Sequence, residues 1–170
     1  MTTKLKEGKF FDRFRKRYLW TSQKKCTVNI DHISILQVSL NELTIDNPLT
    51  FDPALARSFA FDLQHTAEFD PEEGLVMAVT SLQATTVSEE EQEEEATAEA
   101  VFSILFQVNG LEDHILPGID GEMKGSRELK VELAAISLST VRGLMSGYLN
   151  NTVLSDFLIP VIDPETLADY

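Results

Sequence analysis

The sequence lacks the features of disulfide-bonded, secreted or membrane-spanning proteins. Cys26 is the single cysteine among 170 residues, so no internal disulfide framework can form, and we expect a reducing compartment, the cytoplasm. No window approaches 18 uninterrupted apolar residues, and no apolar stretch with a cleavage site follows the basic N-terminus. We therefore expect a soluble chain without stable membrane insertion, long enough to bury one core.

The sequence also lacks the common catalytic and metal-binding patterns. It contains no glycine-rich phosphate loop and no Cys or His pair at metal-ligand spacing. The three histidines, His32, His65 and His114, fall in three separate segments, and the fragment "MSGY" lacks the pattern of a nucleophile elbow. We expect neither an enzyme nor a bound cofactor or metal ion.

Charge is divided unevenly along the chain. Residues 1–25 hold nine of the 14 Lys and Arg residues against Glu7 and Asp12, a net charge of about +7, which leaves about −21 on the rest because the whole chain carries −14. An electrostatic field of that sign repels phosphates, so we expect no nucleic-acid partner for the main body. The composition predicts a basic tail at 1–25 and one domain at 26–170.

The basic tail leaves two interpretations open. Phe11, Phe14 and Tyr18 share one side of a helix at their spacing, with Arg and Lys around them, as in segments that contact anionic lipid, acidic protein or RNA. Alternatively, the aromatic residues of a frayed terminus pack locally or on a neighbouring subunit.

Alternating apolar residues predict four strands, within 27–46, 58–69, 75–86 and 100–110. The apolar phase of the first segment shifts several times, and each shift predicts a β-bulge because side chains alternate with period two. Short connections predict an antiparallel meander. Residues 88–99 contain seven glutamates, which favour a solvated, flexible acidic loop.

One long helix is predicted after a loop at 111–125, with Ser126 as its N-cap. Its apolar residues form two stripes, one through Leu129, Leu133 and Ile136, and one through Leu138 and Val141. One stripe can cover the sheet, and we expect the second to need a partner subunit or a client.

These elements, in this order, resemble the SecB export-chaperone family over residues 28–168. The resemblance is carried by "VSLNELTIDNP", "RSFAFDLQHTAEF", "LVMAVTSLQATT", "FSILFQVNGLEDHILPGIDG", "ISLSTVRG" and "LSDFLIPVIDPETL". It implies an α+β fold in which a four-stranded antiparallel sheet carries a long helix and a short C-terminal helix on one face. Within that pattern, the long helix ends either at Gly143, as the C′ residue, or near Asn150.

The resemblance implies an ATP-independent holdase that binds non-native polypeptides, such as unfolded preproteins, in apolar surface grooves. It also implies a homo-oligomer, either a dimer or a tetramer built as a dimer of dimers. Six residues are the expected groove candidates: Phe51, Phe59, Phe61, Leu144, Met145 and Leu149.

Export members of the family dock the SecA motor ATPase through acidic residues on the exposed sheet surface. Glu42 and Asp46 match two of those positions, whereas Leu105 occupies the third. Two alternatives stay open: a dedicated chaperone or regulatory partner of one client, such as an antitoxin, and an enzyme or ligand-binding domain on the same fold.

Overall fold

The computed structural model describes residues 33–89, 94–117 and 123–168, so the predicted basic tail lies outside the described residues. The main sheet is antiparallel and contains β1 (Ile33–Asp46), β2 (Ala56–Asp70), β3 (Leu75–Ser88) and β4 (Thr97–Val108). This architecture, with one long and one short helix, confirms the predicted α+β fold.

The strand order corrects the predicted meander. The spatial order is β1-β4-β3-β2, so β2, β3 and β4 form consecutive hairpins while β1 lies beside β4. This is a Greek-key arrangement, in which residues 47–55 carry the chain from one edge of the sheet to the other. The error arose because short connections specify the neighbours of β3 but leave the position of β1 open.

The phase shifts in β1 correspond to bulges. The pairing of β1 with β4 slips between Ile35 and Gln37 and again between Leu40 and Glu42. Each slip restores the apolar residues to one face of the sheet, because an extra residue reverses the direction of every side chain that follows it. The sequence therefore predicted two bulges correctly within the described part of the strand.

The two faces of the sheet differ in what they carry. On one face, which we call the helix side, apolar residues of β3 and β4 such as Val76, Leu82 and Phe102 pack against the helices. The other face carries exposed acidic residues such as Glu42, Asp62 and Glu99 together with the buried Met77 and Leu105, and no described helix packs on it. We call this second surface the open face.

The segment predicted as a loop before the long helix contains short regular elements. A 3₁₀ helix spans Leu111–His114, and β5 (Ile115–Pro117) pairs with β6 (Met123–Gly125) in a separate ribbon. Leu111 is fully buried among the apolar residues of the helix side. The second strand of this ribbon ends at Gly125, directly before the helix N-cap Ser126.

The long helix α1 spans Arg127–Tyr148. Ser126 is its N-cap as predicted, since its hydroxyl accepts a hydrogen bond from the Leu129 amide at 3.3 Å. The helix continues past Gly143, so the alternative end near Asn150 is correct. Asn151, with φ of 68°, supplies the left-handed residue after the helix.

The second apolar stripe of α1 is covered by the same chain, which corrects the expectation that it needs a partner. Ala134 and Leu138 pack against Leu167 of the short helix α2 (Glu165–Ala168), with Ile162 and Leu63 beside them. Asp163 accepts a hydrogen bond from the Glu165 amide at 3.0 Å and so opens α2. The C-terminal segment therefore turns back along α1 to hide this stripe.

Arg142 fixes residues 149–164, which we call the returning segment, to the helix. Its Nε donates to the Ile159 carbonyl at 2.9 Å, and its guanidinium NH2 group donates to the Pro160 carbonyl at 2.5 Å. Ile159 is buried in the core, while Pro160 cannot donate a backbone hydrogen bond of its own. Because this segment forms no regular backbone hydrogen bonds of a strand, the two charge-assisted hydrogen bonds from Arg142 to its carbonyl groups hold it in place.

The acidic connection between β3 and β4 is shorter than the predicted loop at 88–99. Ser88 belongs to β3 and residues 97–99 to β4, which narrows the connection to 89–96. Glu95 accepts hydrogen bonds from the Thr86 hydroxyl at 2.5 Å and the Ser88 amide at 3.0 Å. These bonds, the Thr86 bond first, hold the pKa of Glu95 below its ordinary value.

Replacement of Arg142 should loosen the C-terminal segment. We expect Arg142→Met to lower the free energy of unfolding by about 1.5–3 kcal/mol, because two charge-assisted hydrogen bonds are lost from a half-buried site. Urea titration measures the difference.

The matched control is Arg57→Met. Arg57 pairs with Glu89 at 2.7 Å, but both side chains are more than 60% exposed, so this change should cost about 0–1 kcal/mol. Equal losses in the two variants would contradict the role assigned to Arg142.

Candidate functional site

Three phenylalanines meet where β2 faces the returning segment. Alternation along β2 directs Phe59 and Phe61 to the helix side, and Phe157 arrives from the segment after α1. The ring centroids of Phe59 and Phe157 lie 5.5 Å apart, and those of Phe61 and Phe157 lie 6.1 Å apart. Both pairs are tilted at separations typical of favourable aromatic contacts. We call these three residues the aromatic shelf.

The aromatic shelf has a buried base and an open top. Phe157 is almost fully buried, whereas the side chain of Phe61 is 39% exposed. Leu158, the next residue along the chain, is 64% exposed. Exposed aromatic and leucine side chains can bury further apolar area when another molecule covers them.

The structure distributes the six predicted groove residues between surface and core. Phe59 and Phe61 come together in the aromatic shelf, and Leu144 is half-buried at the side of the core. Met145 and Leu149 are 1% and 0% exposed, so they pack the core and line no open surface, which corrects their assignment.

The sixth predicted groove residue is Phe51, in the connection between β1 and β2. It is 8% exposed and so offers little area to a ligand.

Helical periodicity alone did not show that Leu144 is half-buried while Met145 is buried, because the two residues are adjacent in α1 and the pattern does not say where the covered side of the helix ends.

A second apolar surface, missed in the sequence, lies on edge strand β1. Ile35 and Val38, which both point to the helix side, are 44% and 36% exposed. Leu40, Leu43 and Ile45 continue the same row and are half-buried. We call these five residues the β1 strip. The apolar content of this strand was visible in the sequence, and the predicted meander also places β1 at an edge. The extent to which the helices cover the strand depends on tertiary packing, which periodicity does not encode.

The open face carries carboxylates. Glu42 and Asp46 are exposed and pair with Val101 and Thr97 of β4, so the structure brings both predicted docking residues to this face. Leu105, at the position of the third docking residue, is 2% exposed.

Further acidic residues of the open face were missed in the sequence. Asp62 and Glu68 of β2 and Glu99 of β4 point to this face, and Asp62 and Glu99 both stand opposite Gln83 of β3, one on each side. A surface depression across the four strands is lined by Glu42, Asp62 and Glu99 together with neutral polar residues and three apolar ones. The surface therefore attracts cationic groups, and the effect decreases with salt.

His65 is the buried titratable group of the core. It projects from β2 to the helix side, where its Nδ1 lies 3.0 Å from the Thr80 hydroxyl and its Nε2 has no partner. Burial lowers the pKa of His65 to about 4. His65 is therefore neutral at pH 7 and belongs to the core packing.

Ser137 of α1 is also buried without a side-chain partner. It lies in the helix between Leu133 of one core cluster and Val141 of the other.

Within residues 33–89, 94–117 and 123–168, no group of three or more His, Cys, Asp or Glu side chains could hold a metal ion. None of the helices in these ranges is long and apolar enough to span a bilayer.

Comparison with known proteins finds a similar fold but no similar sequence. No family model matches the sequence. No curated protein matches it either. Among solved structures, a SecB-like chaperone of Mycobacterium tuberculosis in complex with a ChAD peptide from the HigA1 antitoxin matches with a TM-score of 0.56 and 13% identity, over 77% of this chain and 91% of that one.

A protein of unknown function from Streptococcus agalactiae matches with a TM-score of 0.41 and 16% identity, over 76% of this chain and 95% of that one. The similarity to the mycobacterial chaperone shows that the fold is SecB-like.

Acidification should destabilise the protein through His65. Its pKa is about 4 in the folded chain and 6.5 in the unfolded chain, so between these values the unfolded state binds the extra proton. The free energy of unfolding should therefore fall as the pH drops from 6.5 to 4, by about 3 kcal/mol from this group.

Urea titrations of the wild type and of His65→Gln across this range test the assignment. The variant should lose that part of the pH dependence. Parallel curves for the two proteins between pH 6.5 and 4 would show that His65 is not the responsible group.

Proposed function

We propose that this chain is an ATP-independent chaperone that holds non-native polypeptides against its apolar surface. The observation that carries the proposal is the aromatic shelf, in which the half-exposed Phe61 contacts the buried ring of Phe157, with the exposed Leu158 next to Phe157 in the chain. A client side chain that covers such residues gains about 25 cal/mol per Å² of apolar area removed from water. This gain does not depend on a specific client sequence.

Net charge supports the same function. The chain carries −14 at pH 7, which opposes unspecific aggregation of a protein with exposed apolar surface and keeps it in solution. The proposal requires no nucleotide and places the activity in the cytoplasm, where newly made preproteins are unfolded.

A dedicated chaperone of one client is the second candidate. It is favoured by the mycobacterial structure of similar fold, which holds a peptide from an antitoxin. A general holdase should suppress aggregation of several unrelated denatured proteins, whereas a dedicated chaperone should bind one partner tightly. Toxin and antitoxin reading frames beside the gene would favour the second candidate.

Delivery to an export motor would use the open face. Glu42 and Asp46 are exposed there and repeat two of the acidic positions through which SecB proteins dock SecA. Because Leu105 replaces the third position, the proposed contact depends on these two carboxylates with Asp62 and Glu99 beside them.

Self-association would use the β1 strip. Ile35 and Val38 are exposed apolar residues on an edge strand, the kind of position that proteins normally blunt or cover. We propose that two chains cover each other's β1 strips and that the resulting dimer can pair again into a tetramer.

Loss of the aromatic shelf should weaken client binding. We expect Phe61→Glu and Leu158→Glu each to reduce affinity for an unfolded client about tenfold or more, because an aromatic or leucine anchor commonly supplies over 1.4 kcal/mol. Suppression of aggregation of a denatured model protein without ATP, together with fluorescence anisotropy of a labelled client, measures the effect.

The matched control is Leu116→Glu, which changes a leucine that is 58% exposed on β5. It should leave client affinity unchanged. The holdase proposal fails if the wild type at excess does not slow aggregation, or if all three variants bind equally well.

Charges placed on the β1 strip should separate the subunits. We expect Ile35→Lys with Val38→Lys to shift the association equilibrium toward the monomer by about tenfold or more, because two buried apolar contacts become like charges. Analytical ultracentrifugation at micromolar concentration measures this shift, with Val87→Lys and Leu116→Lys, two other exposed apolar residues, as the control pair. A wild-type 19.0 kDa monomer would contradict the proposed assembly.

A further inference from the structure

Three buried polar residues lie at the boundary between the two larger core clusters. On β3, Thr80 stands between Ala78 of one cluster and Leu82 of the other. His65 of β2 is paired opposite Thr80, and its Nδ1 lies 3.0 Å from the Thr80 hydroxyl. Ser137 takes the corresponding place on α1, between a leucine of one cluster and a valine of the other. We call His65, Thr80 and Ser137 the polar layer.

The polar layer is buried, but its hydrogen bonds are incomplete. Thr80 is 1% exposed, His65 6% and Ser137 0%. Within the described part of the chain, His65 Nε2 and Ser137 Oγ have no hydrogen-bond partner. A buried polar atom without a partner costs free energy that contact with water recovers. The polar layer therefore favours any opening of the core that admits water to it.

The short helix α2 packs at the margin of the core beside His65. Leu63, two residues before His65 on the same side of β2, packs with Leu167 of α2 and Leu138 of α1. Because β2 is an edge strand, His65 lies closer to this margin than Thr80 does. α2 has four residues, far fewer than the roughly 12–15 that an isolated helix needs. It depends on its contacts with α1 and β2, as do elements that open before the rest of a protein.

A protonated His65 would have no counter-charge in the polar layer. Its neighbours on the three packed elements are apolar: Leu63 and Ala67 on β2, Ala78 and Leu82 on β3, Leu133 and Val141 on α1. The charged groups between α1 and α2 are engaged elsewhere, since Arg127 pairs with Glu165 at 2.7 Å and Lys130 donates to the Ala168 carbonyl at 3.3 Å. Asp163 caps α2, and Glu128 and Glu132 are exposed.

We propose that α2 is an acid-released cover: protonation of His65 opens α2 from α1 and β2 while the four strands and α1 stay folded. Water then reaches the imidazolium, and the stripe of α1 through Ala134 and Leu138 becomes exposed together with Leu63. The opening adds apolar area to the surface that holds clients, a consequence that rests on the proposed function. This area would appear under the acidic conditions in which many other proteins unfold.

Proton binding to His65 favours the open state. The pKa of the imidazole is about 4 when burial desolvates it and 6.5 when water reaches it, so the open state binds the extra proton between these values. The equilibrium constant for opening should therefore be about thirtyfold larger at pH 5 than at pH 7.5.

Hydrogen exchange of the full-length protein at pH 5 and pH 7.5, corrected for intrinsic exchange rates, tests the cover. The amides of Leu167 and Ala168 donate to the Pro164 carbonyl and report the opening of α2. We expect their protection to be about thirtyfold lower at pH 5 and to change little with low concentrations of urea, because local opening exposes little surface.

Two results of this experiment would overturn the cover. If the protection of the α2 amides does not depend on pH, the opening of α2 does not bring water to His65. If these amides are as protected as those of β3 and β4 and have the same urea dependence, α2 opens only when the whole protein unfolds.

Variants test the assignment to His65. In His65→Gln the thirtyfold ratio of α2 protection between the two pH values should fall to about one. The matched control His114→Gln replaces a half-buried histidine outside the polar layer and should keep the full ratio. Leu167→Ala keeps His65 but removes an apolar contact of α2, so it should raise the opening constant about tenfold or more at both pH values. An unchanged ratio in His65→Gln would contradict the assignment.

Client binding separates the cover from the proposed function. The affinity of the wild type for a labelled, permanently unfolded polypeptide, followed by anisotropy, should be at least about threefold higher at pH 5 than at pH 7.5, and His65→Gln should lack this gain. Local opening with the same affinity change in both proteins would remove the link between the cover and clients. If the wild type binds no client at either pH, the proposed function fails, whereas the exchange data still decide whether α2 is an acid-released cover.

Discussion

The structure depends on a mismatch between the width of its sheet and the width of its helix. Four strands spaced about 4.8 Å apart present an apolar face wider than the roughly 10 Å diameter of one helix. α1 lies over the central strands β3 and β4, and the returning segment covers part of the β2 side. The described part of the chain has no equivalent cover for β1, so apolar side chains at both margins of the sheet stay exposed. The excess surface follows from this geometry.

The two margins differ because the backbone differs. On β1, two bulges restore the apolar phase and leave Ile35 and Val38 directed to the helix side at an irregular edge, which suits side-chain contacts between chains. On β2, an uninterrupted ladder leaves a regular edge bounded by the aromatic shelf. The proposals for self-association and for client binding follow from this difference.

The sequence predicted local features well because they are set by neighbouring residues. The bulges of β1, the capping of α1 by Ser126 and the opening of α2 at Asp163 each depend on a few adjacent side chains. Long-range features were harder. The position of β1 beside β4, the covering of Leu138 by Leu167 and the burial of Met145 depend on how distant segments pack, which periodicity does not encode. For the same reason the β1 strip was missed, although its residues were recognised as apolar.

Client binding to the exposed margins of the sheet can be measured by calorimetric titration of the full-length protein with a permanently unfolded polypeptide, repeated at several temperatures without nucleotide. If the exposed margins of the sheet bind clients by burying apolar surface, the heat-capacity change of binding must be clearly negative, because removal of apolar area from water has that signature. We expect saturable binding with such a change. Absence of binding, or binding with a heat-capacity change near zero, would contradict it.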